Sequence, residues 1–151
     1  MTRTLLVVLA ACVALAGCDL LVSPEKRVER AAALIDKGDY RAAAIELRNA
    51  LQKAPDNARG RLLMAQTAYW LGDLPAAKKE LERAADAGLP AEQASRLDAE
   101  IKLAFGEFDA VEKAMASKPA GLDEWQRLVF LGGAQLGQRK SMLRRRRSRR
   151  R

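Results

Sequence analysis

The chain has 151 residues, enough for one domain with a modest core. It carries 27 Lys and Arg against 19 Asp and Glu, but nine of those bases fall in residues 139–151 and one is Arg3, so residues 19–138 hold a net charge of −2. The basicity is a terminal appendix, which argues against a nucleic-acid surface on the body. The absence of His, with both cysteines (Cys12 and Cys18) at the extreme N-terminus, excludes most familiar catalytic and metal-binding constellations.

Residues 1–17 combine one basic residue, Arg3, with an apolar run from Leu5 to Ala16 and a small residue, Gly17. That pattern predicts an export signal. The run is too short to span a bilayer, which takes roughly 20 apolar residues. Leu15-Ala16-Gly17-Cys18 resembles a bacterial lipobox. The resemblance implies a diacylglyceryl group on the Cys18 sulfur, cleavage just before it, and a protein exported and lipid-anchored to a membrane facing the periplasm. A thiolate suits that chemistry because it alkylates far more readily than a hydroxyl, and two or more acyl chains anchor durably where one does not. Asp19 points to retention at the inner membrane. Residues 18–23 form the lipidated cysteine and a short tether.

Beyond the tether the sequence repeats. Gly38-Asp39-Tyr40, Gly72-Asp73-Leu74 and Gly106-Glu107-Phe108 recur at a spacing of 34, and in the same frame Ala43 matches Ala77, Leu47 matches Leu81 and Ala50 matches Ala84. Each glycine is expected to end a helix in a left-handed conformation. Asp39 and Asp73 should cap the helix that follows, and Pro55 and Pro90 should block continuation. The alanines should let two helices approach closely around Leu47 and Leu81. Ser23 and Pro24 open the first helix, to about Lys37, and its partner runs from Tyr40 to Lys53. Later pairs are expected near 58–71 with 74–87 and near 91–105 with 108–117. A seventh helix should run from about Asp123 to Leu136.

A 34-residue helix–turn–helix unit with a small-x₃-large pair in its second helix and a closing proline resembles the tetratricopeptide (TPR) family. The resemblance implies an all-α solenoid: a first repeat over 24–57, a second over 58–91, a degenerate third over 92–120, and the first helix of an incomplete fourth over 121–138. Residues 144–151 are seven arginines interrupted by Ser148, and self-repulsion predicts that the tail over 139–151 is disordered. It reads either as an electrostatic arm for anionic lipid or polysaccharide, or as the abrupt end of a longer repeat array.

In TPR modules the first helix of each pair lines a concave groove that takes protein partners. Carried onto this sequence, that groove would hold Arg59, Leu62, Gln66, Tyr69 and Trp70 from the second repeat and Arg96 and Glu100 from the third. Tyr69 and Trp70 are amphipathic anchors of the kind found at binding hot spots, although Trp70 could equally serve packing against the next helix. Val28 and Ala32 stand where some TPR modules place groups that clamp a partner's C-terminal carboxylate. Glu46, Glu80, Glu82 and Glu100 lie at helical spacing beside Lys and Arg, as on a solvated face. No catalytic residue, metal, cofactor, small-molecule substrate or nucleic-acid partner is expected.

Ser23-Pro24-Glu25, the stretch Gly38–Ala43 and the stretch Ile45–Gln52 resemble the start of the PEP-CTERM system TPR-repeat lipoproteins (PrsT type), over residues 18–88. Those long repeat proteins are associated with exopolysaccharide and exosortase loci. The resemblance implies a membrane-tethered scaffold for envelope or exopolysaccharide assembly. The alternative is a TPR lipoprotein of outer-membrane protein or type IV pilus assembly.

Overall fold

A computed structural model describes residues 22–148. Over this range the chain forms seven α-helices and no strand: α1 Pro24–Asp36, α2 Tyr40–Lys53, α3 Ala58–Trp70, α4 Leu74–Asp86, α5 Ala91–Phe105, α6 Phe108–Ala116 and α7 Glu124–Ser148. The first six agree with the sequence expectation to within one residue at each end. Capping is local and legible. Ser23, Asp39, Asn57 and Asp73 each accept a hydrogen bond from the backbone N–H three residues on. Asp123 and Gln126 exchange side-chain and backbone bonds at the start of α7, a reciprocal capping box. Gly38, Gly72 and Gly106 turn the chain with φ of 77, 81 and 76°.

Three small cores follow one another along the chain. The first gathers Val28, Ala31, Ala43, Leu47 and Ala50, with Leu63 and Met64 of α3 packed on it. The second joins Ala65, Ala68, Ala77 and Leu81 to Leu97 and Ile101 of α5. The third joins Ala99, Val111 and Met115 to Phe130 and Ala134 of α7. Each core therefore closes one helix pair and borrows the first helix of the next, the nearest-neighbour construction of a repeat solenoid. Ala43, Ala50, Ala77 and Ala84 are fully buried, as close helix approach requires. The first helices α1, α3, α5 and α7 touch in succession, whereas α2, α4 and α6 do not touch one another.

The third repeat ends early, in keeping with its degenerate sequence, and one departure from expectation concerns the tail. α6 stops at Ala116, and Lys118, which holds the frame position of Ala50 and Ala84, has left the helix with φ of 50°. The expected disordered tail is not observed as far as Ser148: α7 runs through Gly132, Gly133 and Gly137 into the arginines. Three physical reasons account for this. Arg, Lys, Gln, Met and Leu are among the better helix formers, and cations near a helix C-terminus complement its exposed carbonyls. The helix is also tied down beyond Leu136. Gln138 Nε2 donates to Asp109 Oδ1 at 2.5 Å, and the Phe108 ring lies so close to Gly137 that an added Cβ would sit 2.2 Å from it.

Candidate functional site

Two ion pairs set the spacing between the helices of the first two repeats. Arg27 Nη1 on α1 donates to Glu46 Oε2 on α2 at 3.0 Å. Exactly one repeat later, Arg61 Nη1 on α3 donates to Glu80 Oε2 on α4 at 2.6 Å. Arg27 is only 4% exposed. Arg61 is held at a second point, where its Nε donates to the Pro55 carbonyl, and Glu80 also receives Arg83. Glu46 and Glu80 are therefore half-buried cross-helix partners, and the reading of them as a solvated face is corrected; Glu82 is exposed as that reading had it. In the third repeat the same two positions are Ser95 and Ala114, so the pair is lost as a unit.

The seven expected groove residues divide into three pairs and one residue, Trp70, that stands apart. Leu62 and Tyr69 pack against the second core, so part of each is spent on stacking α3 against α5. Tyr69 also lies close enough to Glu100 to feel its charge: partial burial first, and the Glu100 carboxylate second, hold the Tyr69 hydroxyl above its ordinary pKa. Tyr69 and the α5 residues Leu97 and Ile101 share that core, which joins the second repeat to the third. Arg59 and Gln66 lie on the same helix, Arg59 exposed and Gln66 half-buried. Glu100 accepts from Arg96 Nε at 3.0 Å along α5. Trp70 stands apart. Its ring stacks on Tyr40 of α2, with centroids 5.8 Å apart and an interplanar angle of 11°, and meets Tyr69 edge-on. Packing is thus part of its role, directed back to the preceding repeat rather than onward to the next helix.

A hollow that was not expected from the sequence opens between α4 and α5. It has a volume of about 470 Å³, an apolar floor that includes Leu81, Ala85 and Ile101, and a charged rim. On that rim Lys78 meets Glu107 at 3.2 Å and Lys102 meets Asp98 at 2.5 Å. Its origin is the repeat frame. At the seam between α2 and α3 the corresponding places are occupied by Leu51, Arg61 and Met64, and the hollow there measures about 300 Å³. At the second seam those residues become Ala85, Ser95 and Asp98. Glu107 contributes as well. Where Asp39 and Asp73 cap their helices, the longer glutamate makes no capping bond and reaches Lys78 instead. With about 3.6 residues per turn, Ser95, Asp98 and Lys102 lie on one face of α5, and Arg96 and Glu100 lie on the opposite face.

Cys18, the expected lipidation site, and the expected signal segment lie outside the described residues. Among the described residues no helix is long and apolar enough to cross a membrane. Residues 34–101 match the family model described as a tetratricopeptide repeat. No curated protein matches the chain. The matched range begins near the end of α1 and closes within α5, so it covers the helices that bring Tyr69 and Glu100 together. The chain carries a TPR repeat domain.

Proposed function

We propose that this TPR-containing chain is a membrane-anchored scaffold that holds protein partners on the inner curve of its helix stack during assembly of the cell envelope or of an exopolysaccharide. TPR repeats are protein-interaction modules and are generally not catalytic, so a binding function is the coarser statement that the repeat domain carries. The observation that supports the location is the packing of Leu62 and Tyr69 of α3 on the core that Leu97 and Ile101 of α5 complete, with the Glu100 carboxylate near enough to act on the Tyr69 hydroxyl. There an aromatic hydroxyl, the Gln66 amide, the Arg59 guanidinium and a carboxylate lie on adjoining first helices. Such a surface can bury an apolar side chain against Tyr69 and satisfy a partner's backbone with Gln66, Arg59 and Glu100, the mixture typical of an interface hot spot with a polar surround.

The anchor rests on the lipobox-like Leu15-Ala16-Gly17-Cys18, and the envelope role on the resemblance of residues 18–88 to PrsT-type lipoproteins. Fatty-acid labelling of the full chain checks the anchor. Cys18→Ser is expected to abolish label and leave uncleaved precursor, and normal processing of that variant would remove the anchor from the reading.

The groove is checked separately. Arg59→Ala combined with Tyr69→Ala is expected to reduce recovery of the native partner by tenfold or more in affinity capture, with helicity unchanged. Lys79→Ala, exposed on α4, should leave recovery intact. If Lys79→Ala reduced recovery and the groove pair did not, the partner surface would be on the second helices. Trp70 is left out of this test because its stack on Tyr40 makes lost binding indistinguishable from lost structure.

A further inference from the structure

The hollow between α4 and α5 plays no part in the groove. Its floor is built from residues that otherwise belong to the core: Leu81, Leu89 and Ile101 are all buried. It is closed at both ends. The Lys78–Glu107 pair bridges α4 to the turn before α6 at one end, and Leu89 and Ala91, on either side of Pro90 in the α4–α5 connection, form the other. Both helices pack on neighbours that precede and follow them in the chain, so the hollow belongs to the interior of the array.

Volume and charge narrow the occupant. In the repeat frame, Leu51 and Met64 of the first seam become Ala85 and Asp98, and the hollow grows from about 300 to about 470 Å³. The missing volume is largely apolar. A hollow of that size, apolar with a few polar groups at its edge, suits a small molecule. Arg48 and Arg61 line the first seam, and the same frame positions here are Glu82 and Ser95. Glu82 on α4 and Asp98 on α5 therefore line the hollow from its two walls. Asp98 takes Lys102 along its own helix, and among the described residues no cation is paired with Glu82. The lining sets Lys78 and Lys102 against Glu82, Asp98 and Glu107, so one acid is in excess.

We infer that this hollow binds a small organic cation, a compact apolar body carrying one ammonium group. The body covers Leu81 and Ile101 and fills the space left over Ala85, and the ammonium pairs with Glu82. An anion of the same shape is opposed by the excess acid and finds no free cation to offset its desolvation. A partner's chain fits poorly, because a segment lying along the seam must cross the Lys78–Glu107 bridge or the α4–α5 connection. Asp98 and Lys102 lie on the face of α5 opposite Arg96 and Glu100, so this site stands or falls independently of the groove.

The test titrates the full chain with 2-phenylethylammonium, neutral 2-phenylethanol and anionic 3-phenylpropionate, followed by backbone amide NMR shifts. The ammonium is expected to bind about fivefold more tightly than the alcohol, the scale of one exposed ion pair, and the carboxylate more weakly than either. Shifts should centre on Ala85, Ala94 and Ile101. Glu82→Gln should bring the ammonium down to the affinity of the alcohol. Ala85→Leu with Asp98→Met restores the residues of the first seam and should abolish binding of all three, with circular dichroism unchanged. Should that filled variant unfold, Glu82→Gln decides alone. Absent binding of the ammonium, binding equal to that of the alcohol, or a preference that survives Glu82→Gln would overturn the proposal. So would shifts centred on Tyr69 and Glu100, or a peptide carrying leucine and arginine that binds where the free ammonium does not.

Discussion

Leu47→Ala is expected to destabilise the first repeat by about 4 kcal/mol, near the top of the range for a buried leucine. Leu47 is fully buried at the centre of the first core. The lost transfer energy alone accounts for only part of that figure; the remainder depends on whether the surroundings can collapse into the space. Here they cannot do so easily. Three of the other four buried members of the core, Ala31, Ala43 and Ala50, have no rotamers to swing inward, and the Arg27–Glu46 pair ties α1 to α2 in their present register. In a repeat array the damage should stay largely local, because each repeat draws its stability from itself and its neighbours. Urea denaturation should therefore show a lower first midpoint while the fluorescence change of Trp125, in the last helix, moves less. A loss below about 1 kcal/mol would mean that the alanine-rich surroundings close over the gap.

Gly121→Ala is the second large effect, expected at about 3 kcal/mol. Gly121 lies in the connection from α6 to α7 with φ of 83°. A left-handed conformation costs an L-residue about 1–2 kcal/mol. The larger problem is space: a Cβ at this position would lie 1.9 Å from the Glu92 carbonyl oxygen in the first turn of α5. Backbone cannot swing aside as the end of a side chain can, so the connection or the start of α5 must move, at a further cost of roughly 1–3 kcal/mol. Gly38→Ala separates the two contributions. Its φ is 77° and nothing lies within 4 Å of an added Cβ, so only the conformational cost of about 1–2 kcal/mol applies. Chemical denaturation of both variants should rank Gly121→Ala well below Gly38→Ala, and equal losses would show that the contact with Glu92 is not tight.

The helices of the first two repeats were readable because their signals are local and duplicated. A glycine, a capping aspartate and alanines at fixed offsets say the same thing twice, 34 residues apart. The Arg27–Glu46 and Arg61–Glu80 pairs were duplicated in the same way, yet charge at helical spacing reads by default as solvated surface. Asking which charges recur in frame would have found them. The hollow between α4 and α5 was harder to read. It arises from what Ala85, Ser95 and Asp98 fail to fill, and a deficit of volume shows only when the two seams are aligned residue by residue. The tail was misread because repulsion among arginines was weighed without their helix propensity. The contacts of Gly137 and Gln138 with the start of α6 carry the helix on to where that propensity takes over. The stack of Trp70 on Tyr40 links residues of different repeats through their side chains, and no spacing within either repeat indicates it.

The groove is the central claim, and site-specific photo-crosslinking in the native host tests it most directly. A photoreactive phenylalanine analogue at Gln66, which is half-buried beside Tyr69 on α3, should give a discrete protein adduct on irradiation. The same analogue at the exposed Lys79 on α4 should give none. A matching adduct from Lys79, or no adduct from Gln66 while the chain still captures a partner, would contradict the assignment of partner binding to the inner curve.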